Sequence, residues 1–296
     1  MSRRLAHVDR VGVQERAAQL GRRSIKTTAK QQGIRIAVSV MDLTTLEGSD
    51  TVGKVRQLCA KAVCPAPSLP EIPSVAAVCV YPALVWVARE ALAGTGVRTA
   101  SVATGFPAGQ VSLAAKLKDT ADAVQAGAQE VDMVISREAF LEGDDARVMR
   151  EIETVKEACG GAAHLKVIIE TAELGSYEHV RHASMLAMEA GADFIKTSTG
   201  KAAAGATPEV CLVMLEAIRD YVERTARIVG FKAAGGVSNT KAALHRLVLV
   251  KETLGDEWLT PERLRIGASS ALNDLLMQYA KTQTGRYARG EDFSLE

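Results

Sequence analysis

The chain has no apolar run approaching the roughly 20 residues a membrane helix requires, and no secretory-type apolar core near its start. A soluble, intracellular protein is the expectation. It also lacks a charge excess. With 36 basic against 35 acidic residues over 296 positions, no global field favours nucleic acid or an anionic membrane as partner, so any phosphate must be held by a local site. Cysteine is sparse. Cys59, Cys64, Cys79, Cys159 and Cys211 are odd in number and contain no C-x-x-C pair, which fits a reduced, cytoplasmic protein better than a disulfide framework. No G-x-G-x-x-G turn follows the first strand-like run, which disfavours a doubly wound dinucleotide fold. None of the histidines (His7, His164, His179, His182, His245) falls at the end of a strand-like run. His179 and His182 are three apart on a helix expected to pack outside, so no metal site is expected.

What is present is a regular alternation. Val- and Ile-rich runs at 34–43, 74–82, 97–107, 130–135, 165–171, 193–199, 227–236 and 264–270 read as eight strands. Segments with helical spacing lie after them at 52–62, 83–92, 113–126, 147–158, 177–190, 208–222, 241–253 and 272–279. Glycines such as Gly96, Gly127 and Gly191 stand where helices should turn into strands. Eight such units predict an α/β fold, a TIM (β/α)8 barrel with a parallel sheet. The barrel is expected over 34–280, with a C-terminal tail at 281–296. Residues 1–33 are rich in Arg and Lys and poor in acids. Such a leader can be a transit peptide, but a helical extension packed outside the barrel is the favoured reading.

Functional groups of a TIM barrel lie at the C-terminal ends of its strands. Those ends carry Asp42 and Thr44, Cys79, Asp132, Glu170, Lys196, Lys232, and Ser269 with Ser270. The opposite ends open on Arg35, Arg98, His164, Lys166 and Arg227, which read as solvated bottom-face positions. Strand alternation puts Lys196 and Lys232 on one face of neighbouring strands. Two ammonium groups roughly 4 Å apart repel by about 4 kcal/mol at an effective dielectric near 20, so one of them should be a free amine, the form that attacks a carbonyl. Gly200 with Lys201, Gly235 with Gly236, and the Ser269–Ser270 pair follow the last three strands. Loops of this kind hold phosphate in barrel enzymes.

The stretch FIKTSTGK (194–201), with EVDMVI before it and VGFKAAGG and RIGASS after it, resembles the deoxyribose-phosphate aldolase family, class I aldolases built on a TIM barrel. VMDLTTL (40–46), VAAVCVYP (75–82) and LKVIIET (165–171) agree, and the resemblance runs from about Ala37 to Leu276. It implies that Lys196 is the Schiff-base lysine, Lys232 the neighbouring cation that lowers its proton affinity, and Asp132 the carboxylate that moves protons with water. Gly200, Lys201, Gly235, Gly236, Ser269 and Ser270 would surround the phosphate. Asp42, Thr44, Cys79 and Thr199 would line the cavity. The implied reaction is reversible cleavage of 2-deoxy-D-ribose 5-phosphate to D-glyceraldehyde 3-phosphate and acetaldehyde, without a cofactor, in deoxyribonucleoside catabolism. Neither nucleic acid nor membrane is expected as a partner, and a homo-oligomer stays open. The residues alone leave open a Schiff-base aldolase or transaldolase for another sugar phosphate, and a catalytically silent phosphosugar-binding barrel. The chain departs from the family in having Ala233 after Lys232 and in ending EDFSLE, with Tyr287 some way inside.

Overall fold

Strands β1 (Met41–Thr44), β2 (Ala77–Val80), β3 (Arg98–Val102), β4 (Glu130–Val134), β5 (His164–Ile168), β6 (Phe194–Lys196), β7 (Gly230–Ala234) and β8 (Leu264–Ala268) pair in parallel in chain order, and β8 closes on β1. This is the expected TIM barrel. The computed structural model describes residues 5–202, 205–268 and 270–294.

Around the barrel run α3 (Val52–Val63), α4 (Val85–Ala91), α5 (Leu113–Gln125), α6 (Arg137–Glu142), α7 (Asp145–Cys159), α8 (Tyr177–Glu189), α9 (Pro208–Thr225), α10 (Thr240–Leu254) and α11 (Ala271–Thr284). Their starts are written locally. Thr51, Ser112, Ser176, Thr207 and Asn239 accept hydrogen bonds from first-turn amides of α3, α5, α8, α9 and α10, satisfying donors that a helix N-terminus otherwise leaves unpaired. Gly127 and Gly191, at φ +102° and +101°, carry the chain from α5 and α8 into the next strands.

The basic N-terminal segment is built into the fold as two helices, α1 (Arg10–Gly21) and α2 (Thr27–Ser39), packed against α9, α10 and α11. Val13, Ala17 and Leu20 face the core, while Arg16 and Arg23 reach Glu216 and Glu252. One strand boundary is corrected. Residues 34–39, read above as the start of the first strand, are the end of α2, and β1 begins only at Met41. The buried residues Ile34, Ala37 and Val38 follow the i, i+3, i+4 spacing of a helix. β-branched content had pointed the other way, and a short apolar run does not separate the two.

Inside the barrel the packing is uneven. Leu46, Ala77, Cys79, Ala100 and Val102, with Tyr81 and Phe106 against them, make a small apolar cluster on the β1–β3 side. The opposite side is charged. Phe194 fills the space above Gly230, where a Cβ would stand 2.2 Å from its ring. No other residue fits there without moving a buried aromatic.

Candidate active site

Lys196 and Lys232 are register partners across β6 and β7, and both side chains are buried. The inward face of β4 brings Asp132 between them. Its Oδ2 accepts from Lys196 Nζ at 2.7 Å and from Lys232 Nζ at 2.8 Å. Asp42 on β1 accepts from Lys232 at 2.6 Å.

The two lysines are not equivalent. Burial, followed by repulsion from Lys232, outweighs the pull of Asp132 and lowers the proton affinity of Lys196. Lys232 is just as buried, but it touches both Asp132 and Asp42, and their attraction raises its proton affinity. Lys196 is therefore the amine closer to its free form, and desolvation contributes more to this than the neighbouring cation. Asp132 is buried among Lys166, Lys196 and Lys232, whose attraction overcomes its desolvation and holds it well below the usual carboxylate range. Burial pushes the Cys79 thiol up to about 11, so it is an uncharged neighbour.

Lys166 is a correction. Read from sequence as a solvated bottom-face residue, it is fully buried inside the barrel, 2.9 Å from Asp132 Oδ1 and 2.5 Å from Glu130 Oε2. Arg265 on β8, not singled out from sequence, donates to Asp42 Oδ1 at 2.7 Å and holds Glu130 with two nitrogens, Nη2 at 2.6 Å. Glu130 was missed as well. Their only sequence signal is spacing: Glu130 stands two before Asp132, and Arg265 two before Gly267, on the inward face of each strand.

Lys196 and Lys232 open onto a cavity of about 230 Å³ walled by Thr44, Thr199, Gly200, Lys201, Gly235, Gly236 and Ser270. Leu46, Glu47, Val237 and Ser238, not singled out from sequence, belong to that wall too, with Ala234 and Gly267. Asp42 and Cys79, expected in the wall, lie buried and outside it. Ser269 lies outside the described residues. The loop after β6 is fixed from two sides. Thr197 Oγ1 both donates to Ala234 O and accepts from Ala234 N. Glu170, at φ +51°, accepts from Thr199 N and Oγ1. A Cβ on Gly235 would stand 2.5 Å from Ser198 Oγ, so this backbone approach requires glycine. At the mouth, Lys201 Nζ meets Glu47 Oε1 at 2.7 Å.

His179 and His182 are half-buried on α8, packed against the Phe140 ring and bonded to Leu174 O and Asp145. Among the described residues no group of three His, Cys, Asp or Glu side chains is arranged to hold a metal ion. Tyr287 is exposed and stacks over Lys281. The tail beyond it docks through the Ser294 carbonyl, which accepts from Lys61 and Asn273.

A buried amine beside a buried carboxylate, facing a cavity rimmed by glycine loops, is equipped to condense with a carbonyl compound that carries an anion. The family profile described as "DeoC/LacD family aldolase" matches residues 36–276. The chain belongs to the DeoC/LacD family of aldolases. Deoxyribose-phosphate aldolases of Mus musculus and Homo sapiens are 48% and 46% identical to this family member over 299 residues, covering 97% of this chain and 94% of each relative. The solved deoxyribose phosphate aldolase of Aeropyrum pernix, described as a unique tetramer, is 25% identical with a TM-score of 0.66, covering 87% of this chain and 97% of that one. Among the described residues of this DeoC/LacD aldolase, no helix is long and apolar enough to cross a membrane.

Proposed function

We propose that this aldolase reversibly cleaves 2-deoxy-D-ribose 5-phosphate to D-glyceraldehyde 3-phosphate and acetaldehyde through a Schiff base on Lys196. The observation that carries the reading is Lys196 itself, a buried amine of lowered proton affinity, 2.7 Å from Asp132 and opening onto the cavity. The named relatives supply the substrate.

The steps follow from the residues. The free amine of Lys196 adds to the substrate aldehyde, and loss of water gives an iminium. A proton leaves the C3 hydroxyl, the C2–C3 bond breaks, and its electron pair flows into the iminium to give an enamine. Glyceraldehyde 3-phosphate departs. Protonation of the enamine and hydrolysis then release acetaldehyde and restore the amine. Asp132 and water carry these protons, beside the fixed ammonium of Lys232. Asp132 serves as a relay rather than a resting proton store, because three cations keep it ionised. Gly200, Lys201, Gly235, Gly236 and Ser270 surround the phosphate, and that remote anchor positions the reacting carbons. Thr44 and Thr199 line the same cavity. No cofactor is needed. The reaction would serve deoxyribonucleoside catabolism in the cytoplasm, a reducing setting with which the five free cysteines are compatible.

Borohydride reduction in the presence of acetaldehyde, followed by peptide mass mapping, tests the reading. An N-ethyl adduct on Lys196 is expected. An adduct that forms with a different carbonyl donor but not with acetaldehyde would indicate an aldolase for another sugar phosphate, and no adduct with any donor would indicate a silent binding barrel.

The pair at the mouth makes a separate prediction. Glu47 pairs with Lys201 at 2.7 Å and so competes with a substrate phosphate for it. Glu47→Gln is expected to lower KM for the phosphorylated substrate up to about fivefold, the usual worth of an exposed ion pair, with kcat little changed. Steady-state kinetics against an unphosphorylated aldehyde, whose KM should not move, is the control.

A further inference from the structure

Six charged side chains beneath the cavity form a closed ring of alternating sign: Asp132, Lys166, Glu130, Arg265, Asp42 and Lys232, returning to Asp132. Each step is a contact of 2.5 to 2.9 Å. Each of its three cations bridges two carboxylates, and Lys166 also stands 3.9 Å from Asp42 across the ring. Lys196 is attached from outside, through Asp132 alone. The six are supplied by β1, β4, β5, β7 and β8, and all are buried. The Arg265 guanidinium also lies 5.7 Å from the Phe194 ring centroid, beneath the residue that closes over Gly230.

We propose that Glu130, Arg265 and Lys166 are positioning residues for the aldol chemistry: with Asp42, Lys232 and Asp132 they complete a ring that is neutral without Lys196, so a protonated Lys196 is the uncompensated charge and its free amine the balanced state. The proposal rests on the reading of Lys196 as the Schiff-base amine. It differs from a two-lysine account in making the charge of the whole ring, rather than one neighbour, decide the state of the nucleophile. An unbalanced charge in a dry interior is costly, and Lys196 can shed its own by losing a proton to the cavity.

The remaining groups around Lys196 do not disturb this balance. β2 presents the uncharged Cys79 thiol, and β3 presents Ala100 and Val102. Arg98, at the solvent end of β3, lies 3.7 Å from Glu130 with its side chain 38% exposed, where water screens it. At the rim Glu47 is paired with Lys201, and Glu170 with Thr199 and Arg137.

The ring predicts opposite shifts from opposite charge deletions. In Glu130→Gln the ring is left positive, so the acid limb of kcat/KM, which follows loss of the proton from Lys196, should move down by about one pH unit. In Arg265→Met or Lys166→Met the ring is left negative and Lys196 becomes its natural counter-ion. The limb should then move up by a similar amount. Arg265→Lys should return it toward the wild-type position even if kcat stays low. The same shifts should appear in the pH dependence of acetaldehyde-borohydride trapping of the full chain. Where Arg265→Met does not fold, Lys166→Met and Glu130→Gln carry the opposed signs. Limbs that stay put, or that all move one way, would overturn the ring as the determinant. Absence of any wild-type adduct on Lys196 would instead remove the reading beneath it.

Discussion

Replacing Lys196 by methionine is expected to lower kcat/KM by at least about 10⁴-fold, because the residue lost is the proposed covalent nucleophile and nothing nearby can take its place. Lys232 lies within reach of the same cavity, but two carboxylates hold it as an ammonium. Lys166 is held in the same way below it. Borohydride trapping should therefore fail entirely in the variant instead of moving to a second lysine. A second readout separates catalysis from folding. A lysine whose proton affinity is lowered in the folded chain binds fewer protons there than when unfolded. Stability then rises with pH between the folded and unfolded pKa values of that lysine and is diminished below them. Lys196 thus costs stability at neutral pH, and Lys196→Met should unfold at a higher urea concentration than the wild type there. An inactive variant that is also less stable at pH 7 would contradict this assignment.

The elements that could be read from sequence are those whose signal is local. Val- and Ile-rich runs separated by capped helices specify eight strands, and the strand ends place Lys196, Lys232 and Asp132 at one rim because each follows from counting along its own strand. The charged floor was not legible for a physical reason. A charged residue near the start of a strand, such as Lys166, reads as solvated, since lone charges are excluded from interiors. It is buried here only because partners arrive from other strands. Arg265 meets Asp42 across 223 positions of sequence, through the closure of β8 on β1, which the strand count implies without saying which side chains meet across it. Asp42 was noticed but misplaced for the same reason: its partners draw it into the floor and away from the cavity wall. Residues 34–39 failed differently, their β-branched side chains serving a helix face as readily as a strand.

Lys232→Met should have the opposite effect on stability from Lys196→Met, although the two residues face each other across one register pair. Its removal leaves Asp42 and Asp132 short of a partner each had at 2.6 and 2.8 Å, and breaking a buried pair from one side costs about 3–5 kcal/mol. Asp132 then leans more heavily on Lys196, and the like charge that opposed protonation of Lys196 is gone. Both changes raise the proton affinity of Lys196, so the acid limb of the rate profile should move to higher pH. At neutral pH kcat/KM should fall by about 10²–10³-fold, combining a smaller fraction of free amine with a broken proton relay. Raising the pH should recover the first part but not the second. A profile that only drops, with its limb where the wild type has it, would mean that Lys232 carries protons without setting the state of Lys196. A limb that moves without a lasting loss at high pH would mean the reverse. Kinetics from neutral to alkaline pH, with a urea melt at each point to confirm folding, distinguish these outcomes.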